Sequence, residues 1–214
     1  MKTVALERAV ELIPDGANVM VGGFMGVGTP ERVMDELVRQ GRRGLTVIGN
    51  DTARPGRGIG KLVTSGVASK AIVSHIGLNP ETQQKMIAGE LEVELVPQGT
   101  LIERIRAGGF GLGGFLTPTG VGTMVEEGKR KIEVDGAQFL LEPALKADFA
   151  LVEAFLSDYY GNLTYALTAR NFNPVIAMAA RTVVVDAAHI VPVGMISPDH
   201  VVTPAVLVDY LVAH

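Results

Sequence analysis

Short apolar runs alternate with amphipathic segments along the first half of the chain, and this rhythm constrains the fold more than any other feature. Residues 19–21 read as a strand and residues 31–40 as a helix. The helix turns Val33, Met34, Leu37 and Val38 inward and stops at Gly41. Residues 45–48 form the next strand, ending at Gly49-Asn50-Asp51, and residues 59–63 a short helix. Strand 70–74, helix 80–88 with Asn79 as its cap, strand 92–96 and helix 101–106 continue the series. A helix over 4–13, with Leu6, Ala9, Val10 and Ile13 on one face, precedes it and stops at Pro14-Asp15-Gly16. Strands and helices in strict alternation give an α/β fold, a mostly parallel sheet with helices on both faces. In such sheets ligands bind at the carboxyl ends of the strands.

At the first of those ends stands Gly22-Gly23-Phe24-Met25-Gly26-Val27-Gly28. Glycine lets a backbone turn tightly and approach a ligand closely. Thr29 is placed as N-cap of the following helix and Pro30 as its first residue. The free N–H groups of a helix start suit an oxyanion, a carboxylate or a phosphate. The spacing fits neither the dinucleotide fingerprint G-x-G-x-x-G nor the Walker A loop. A tight turn with no ligand is the competing reading of the loop.

Farther on, Gly108-Gly109-Phe110-Gly111-Leu112-Gly113-Gly114-Phe115 is too apolar for a solvated linker; its backbone either folds closely against something, such as a ligand or a partner chain, or forms a mobile loop, and composition favours neither. Residues 131–141 read as a hairpin turning at Asp135-Gly136, so an antiparallel piece is inserted into the parallel pattern. Residues 150–152, 163–165 and 182–185 read as strands, and Asn173-Pro174 opens a helix to Ala180. The apolar tail 203–212 fits either strand or helix. No linker divides the chain, and residues 1–214 are taken as one domain.

Charge and composition narrow the function. A net charge of −4 with no basic stripe argues against nucleic acid. The absence of cysteine removes disulfides, thiolate catalysis and Cys-ligated metals. No run reaches the roughly 18 apolar residues of a membrane helix, and Lys2, Glu7 and Arg8 stand where a signal peptide is apolar. A cytoplasmic protein that does not engage a membrane is the expectation.

The four histidines, His75, His189, His200 and His214, lack metal-ligand spacing, so no metal is expected. His75, at a strand end, is a candidate general base, with a hydrogen-bonded structural imidazole as the alternative. No G-x-S-x-G elbow is present. Asp51, Glu81, Glu103, Glu142 and Glu153 are candidate reactive carboxylates, but none has a catalytic motif around it, and a solvated or salt-bridged role is the favoured reading of each. Gln98 sits at a strand end between Pro97 and Gly99, where its amide can donate to a developing oxyanion. Arg39, Arg42, Arg43, Arg54, Arg57 and Lys61 form a local basic surplus that suits either phosphates or a solvated face. The residues thus describe an anion-binding α/β domain with oxyanion donors and no identifiable nucleophile.

Longer patterns resemble a known family. Asp15-Gly16, two residues, Val19-Met20-Val21, Gly22-Gly23-Phe24, three residues, Gly28, one residue and Pro30 resemble the signature of family I CoA-transferase alpha subunits. Val27 and Thr29 fall at positions that signature leaves free. Gly49-Asn50-Asp51-Thr52, Ser74-His75-Ile76-Gly77-Leu78-Asn79-Pro80-Glu81 and Val96-Pro97-Gln98-Gly99-Thr100-Leu101 are similar to the acetate/acetoacetate (3-oxoacid) branch. So are Gly113-Gly114-Phe115-Leu116-Thr117-Pro118-Thr119-Gly120 and Ala169-Arg170-Asn171-Phe172-Asn173-Pro174. The resemblance runs nearly end to end.

It implies a fold shared with certain sugar-phosphate isomerases, and a ping-pong transfer of CoA from an acyl-CoA to a free carboxylate such as acetate. In the family a glutamate in a Ser-Glu-Asn-Gly segment of the beta subunit is the nucleophile. This chain has no such segment, which implies a partner and an αβ or α2β2 assembly. Coenzyme A and acyl-CoA are substrates, with no permanently bound cofactor. By the same resemblance Gly22, Gly23, Phe24, Met25, Gly26, Val27 and Gly28 bind CoA, Gln98 is an oxyanion donor, and Asn50 and His75 receive no role. Two other readings stand beside this one: a non-catalytic effector-binding domain of similar fold, and a self-sufficient sugar-phosphate isomerase.

Overall fold

The computed structural model describes residues 3–213. In chain order the elements are β1 (Thr3–Val4), α1 (Leu6–Glu11), β2 (Asn18–Val21), α2 (Glu31–Arg39), β3 (Leu45–Ile48), α3 (Ile59–Thr64), β4 (Ala68–Val73) and α4 (Pro80–Ile87). Then follow β5 (Glu92–Leu95), α5 (Gln98–Gly109), β6 (Gly114–Thr117), β7 (Lys131–Val134), β8 (Ala137–Pro143) and β9 (Ala147–Asp158). Last come β10 (Leu163–Thr164), α6 (Asn173–Ala179), β11 (Ala180–Val191) and β12 (Tyr210–Val212). The main sheet runs β1-β12-β11-β9-β2-β3-β4-β5, and every neighbouring pair along that path is parallel. Only β10, off the path, is antiparallel to its partner β9.

Strand alternation divides the core between two faces. Val19, Val21, Val47, Phe149, Leu151 and Val184 pack with Val10, Ile13, Met34, Leu37 and Leu62 of α1, α2 and α3 and their flanks. The intervening Met20, Ile48, Ala150, Val152 and Val185 pack with Leu101, Ile105, Phe172 and Ile176 around α5 and α6. Strands buried on both faces read as continuous apolar runs, which is why 19–21 and 45–48 show no polar alternation.

The direction of winding fixes which helix lies where. From β2 the chain steps through β3 and β4 to β5, and these crossovers put α2, α3 and α4 on one face. From β9 it steps the other way to β11, and α6 lies on the opposite face. The reversal falls between β2 and β9. The loop after β2 therefore opens into the crevice where doubly wound sheets bind ligands.

Several expectations are corrected. Val4 lies in β1 rather than in the first helix, because it pairs with Val212. The ambiguous tail supplies β12, which enters the sheet between β1 and β11. Helix α5 begins at Gln98 rather than at the expected Leu101. The glycine-rich run packs closely at its two ends, where Gly108 and Gly109 end α5, a Cβ on Gly109 would meet Met178 Cβ at 2.7 Å and one on Gly114 would run into the Glu142 carbonyl, while Phe110 and Leu112 between them are exposed. The hairpin forms as expected. Asp135 and Gly136 both take positive φ, 50° and 76°, and β8 also pairs with β6, giving a three-stranded antiparallel sheet. No helix among the described residues is long and apolar enough to cross a membrane.

Candidate functional site

The glycine loop is held at its base and its tip. At the base, the Gly22 N–H donates to the Leu151 carbonyl across the β2–β9 seam (3.0 Å). The Asn173 Nδ2 at the start of α6 donates to the carbonyls of Gly28 (2.8 Å) and Ala169 (2.9 Å), and its Oδ1 accepts the Glu153 N–H (3.0 Å). Asn173 is fully buried and lies against Gly22, where a Cβ would come within 2.8 Å of Nδ2 and nearer still to the carboxamide carbon and oxygen. Gly22 thus leaves room for the carboxamide that locks the far end of its own loop. At the tip, Phe24 and Val27 exchange backbone hydrogen bonds of 2.9 Å around Met25 and Gly26, whose φ values are 51° and 81°.

Thr29 does not cap α2, contrary to expectation. Its hydroxyl donates to the Gly22 carbonyl (2.9 Å), pinning the two ends of the loop together, and Pro30 occupies the cap position. The Glu31 carboxylate accepts the Gly58 N–H (2.9 Å) and pairs with Lys61 (2.7 Å).

Three further strand ends meet the loop. Asp51, after β3, accepts the Met25 N–H (2.9 Å) and the Asn50 Nδ2 (2.8 Å) at Oδ2, and the Ala53 N–H (2.6 Å) at Oδ1. Gln98, the first residue of α5, donates from Nε2 to Asn50 Oδ1 (3.2 Å). His75 joins Asp51 through a parallel backbone bridge, but its ring is exposed and lies over Gly77. The loop 22–28 and Gln98 are therefore brought together, linked by Asn50 and Asp51.

The remaining candidates lie elsewhere. Glu81 accepts a hydrogen bond from Thr64, and Glu103 is paired with Arg106 on the exposed side of α5 (3.0 Å). Glu142 is buried against Lys129 (2.6 Å). Glu153 lies beside Asp186 on the neighbouring strand, in a cavity of about 240 Å³ that Thr29, Glu31 and Arg32 also line. Burial pushes its carboxyl above the usual range, and the Asp186 charge adds to the shift. Of the basic surplus, Arg39 is tied to Glu36 (2.6 Å) and Lys61 to Glu31 and Asp35 (2.6 Å), while the Arg57 side chain lies over Gly26. His189 stacks edge-on against Phe155 (5.5 Å), His200 is exposed, and His214 lies outside the described residues. No group of three or more metal-ligating side chains occurs among the described residues.

Asn173 is the residue whose role sequence reasoning missed, and Asp51 stood there only as one of five carboxylates without a motif. Both lie in segments that resemble the family, but neither received a role. Their importance comes from contacts to chain far away in sequence.

Comparison with known proteins fits this geometry. The family model described as Coenzyme A transferase matches residues 3–214. The acetate CoA-transferase subunit alpha of Escherichia coli K12 is 54% identical over 99% of this chain and 96% of its own length. The acetoacetyl-CoA:acetate/butyrate CoA transferase alpha subunit of Clostridium acetobutylicum is 48% identical over 99% of this chain and 97% of its own. Among solved structures, an acyl-CoA transferase from E. coli O157:H7, in a thioester complex with CoA, superposes on the whole chain with a TM-score of 0.87. At 24% identity that likeness speaks for the fold alone, and this chain spans 47% of that longer one.

Proposed function

The chain belongs to the Coenzyme A transferase family, and from that premise we propose that it is the alpha half of a short-chain acyl or 3-oxoacyl CoA-transferase that works with a beta subunit. One observation carries the reading. The glycine loop and the Gln98 amide converge at the switch point of the sheet, in a chain similar over its whole length to alpha subunits of acetate and acetoacetyl-CoA transferases.

The chemistry divides between the two chains. A glutamate of the beta subunit attacks the thioester carbonyl of the donor, and CoA leaves as thiolate, giving an acyl-glutamyl anhydride. The thiolate then attacks the glutamyl carbonyl and releases the donor carboxylate, leaving glutamyl-CoA. The acceptor carboxylate repeats the sequence in reverse and restores the glutamate. Each step passes through a tetrahedral oxyanion, and Gln98 supplies an N–H to it. The loop 22–28 lines the CoA and acyl site with backbone held by Asp51, Thr29 and Asn173. The donor is acetoacetyl-CoA or another short-chain acyl-CoA, and the acceptor a free carboxylate such as acetate.

This division is supported by the carboxylates a self-sufficient enzyme would call on. Glu81 and Glu103 are engaged away from the loop, and Glu153 is held in a half-buried site that disfavours its charged form. The test is CoA transfer from acetoacetyl-CoA to acetate, with the chain alone and with its beta partner. Turnover only in the mixture is expected. Turnover by the chain alone would overturn the division of labour.

A further inference from the structure

We propose that Asp51 is a positioning residue for Gln98, acting through Asn50 by fixing the polarity of two side-chain amides in series. The inference rests on the transferase reading above, in which Gln98 donates to the oxyanion.

The chain of contacts runs from a rigid end to a free one. Asp51 is 6% exposed and Asn50 2% exposed, so neither side chain exchanges freely with water. The three groups that Asp51 receives, the N–H groups of Ala53 and Met25 and the Asn50 Nδ2, are all donors, at 2.6, 2.9 and 2.8 Å. A carboxylate offers only acceptors to such groups. Asn50 must therefore turn its NH2 toward Asp51 and its carbonyl oxygen toward Gln98. That oxygen accepts but cannot donate, so Gln98 turns its own NH2 to it, at 3.2 Å.

An amide NH2 carries two hydrogens. One is spent on Asn50, and the other is left at a defined place for a ligand. A reversed Asn50 would reverse Gln98 as well, putting its carbonyl oxygen where the free N–H now lies and moving the donor across the amide. An oxyanion would then face an oxygen lone pair. The same carboxylate holds the Met25 N–H, so the turn of the glycine loop and the orientation of Gln98 share one anchor.

The test is a double-mutant cycle on the assembled transferase, reading kcat and KM for acetoacetyl-CoA and acetate in Asp51→Asn, Gln98→Ala and the pair. Asparagine keeps the shape of the aspartate and removes its fixed polarity. Asp51→Asn is expected to lower kcat at least roughly tenfold, and to cost several-fold less once Gln98 is alanine, the loss that remains reporting the Met25 anchor of the glycine loop. An equal fold-loss in both backgrounds, or no loss in the first, overturns the proposal.

Should Asp51→Asn fail to fold, Asn50→Ala breaks the same chain at its middle, and its cycle with Gln98→Ala is read by the same criterion. A second readout separates this proposal from the transferase reading. The Gln98 side-chain NH2 signal in 15N NMR of the chain, identified by its loss in Gln98→Ala, must move in Asp51→Asn or Asn50→Ala even if the wild-type pair transfers no CoA. A signal unmoved in both variants overturns the relay, whereas a silent wild-type pair overturns only the function.

Discussion

Replacing Gly22 with alanine tests the loop's architecture most directly. The new Cβ would lie inside the van der Waals envelope of the Asn173 carboxamide, whose Nδ2 is 2.8 Å from it and whose other atoms are nearer. Asn173 is fully buried and cannot swing into water. To make room it must give up its bonds to Gly28, Ala169 and Glu153, at 2.8, 2.9 and 3.0 Å. A lost hydrogen bond costs about 0.5–1.5 kcal/mol net, and a buried group left unsatisfied about 1–3 kcal/mol. Overpacking a filled site adds about 1–3 kcal/mol when the neighbours cannot move. These effects overlap, and together they put Gly22→Ala at roughly 3–5 kcal/mol of lost stability. The assay is urea unfolding of the chain by circular dichroism, run beside Asn173→Ala and the double variant. Alanine at 173 vacates the space the new methyl needs, so the double variant should lie within about 1 kcal/mol of Asn173→Ala alone. A loss below about 1 kcal/mol for Gly22→Ala, or full additivity in the pair, refutes the reasoning.

Other perturbations test other parts of the site. Gln98→Ala should lower kcat of the assembled enzyme roughly ten- to a thousandfold, the range for losing an oxyanion donor, and unchanged turnover would remove Gln98 from the site. Glu153 faces Asp186, with Arg32 and Glu31 lining the same cavity, and its folded-state pKa is raised, so the folded protein holds the proton over a wider pH range than the unfolded chain. Stability from this group is therefore full below the ordinary glutamate range and is lost as pH rises through the raised value. Glu153→Gln should flatten that slope and stabilise the protein at neutral pH, and an unchanged pH profile would contradict this. Asp158 behaves oppositely. Burial alone would push its carboxyl up, but the Asn162 side chain and the N–H groups of Asn162, Tyr160 and Gly161 outweigh it and hold it low. Its contribution is present above the ordinary aspartate range and is lost as pH falls through the depressed value. Asp158→Asn should destabilise the protein by about 1–3 kcal/mol at neutral pH, and the deficit should shrink in acid; a constant deficit across pH would count against it.

Local chemistry made much of this fold readable. Apolar runs such as 45–48, glycine stops such as Gly41, the Asn79 cap accepting the Thr82 N–H and the Asp135-Gly136 turn are decided by a few neighbouring residues. The meeting of the glycine loop, Asn50-Asp51 and Gln98 was readable for the same reason, since it follows from where strands end. Contacts between distant parts of the chain were not. β1 and β12 are two and three residues long, too short to show a period, and exist because each completes the other's sheet. Thr29 resembled a cap because a threonine before Pro-Glu commonly is one. The carbonyl of Gly22, the residue just past the end of β2, took its hydroxyl instead, and no sequence pattern marks that pairing. The role of Asn173 likewise depends on three partners from three separate stretches of chain.

The seam between β2 and β9 has a consequence for how the molecule is made. β2 finds β3 within the next stretch of chain, but its other edge waits for β9, more than a hundred residues later. Any partly folded chain that holds β2 to β5 alone has one open edge on β2, with the Gly22 N–H unmatched and the Gly28 carbonyl still lacking Asn173. Non-local pairings of this kind are slow to form, and an unpaired apolar edge is prone to capture by another chain. The strand that ties the base of the glycine loop thus also closes the open edge of the nascent sheet, so the shaping of that loop and escape from aggregation depend on the same pairing.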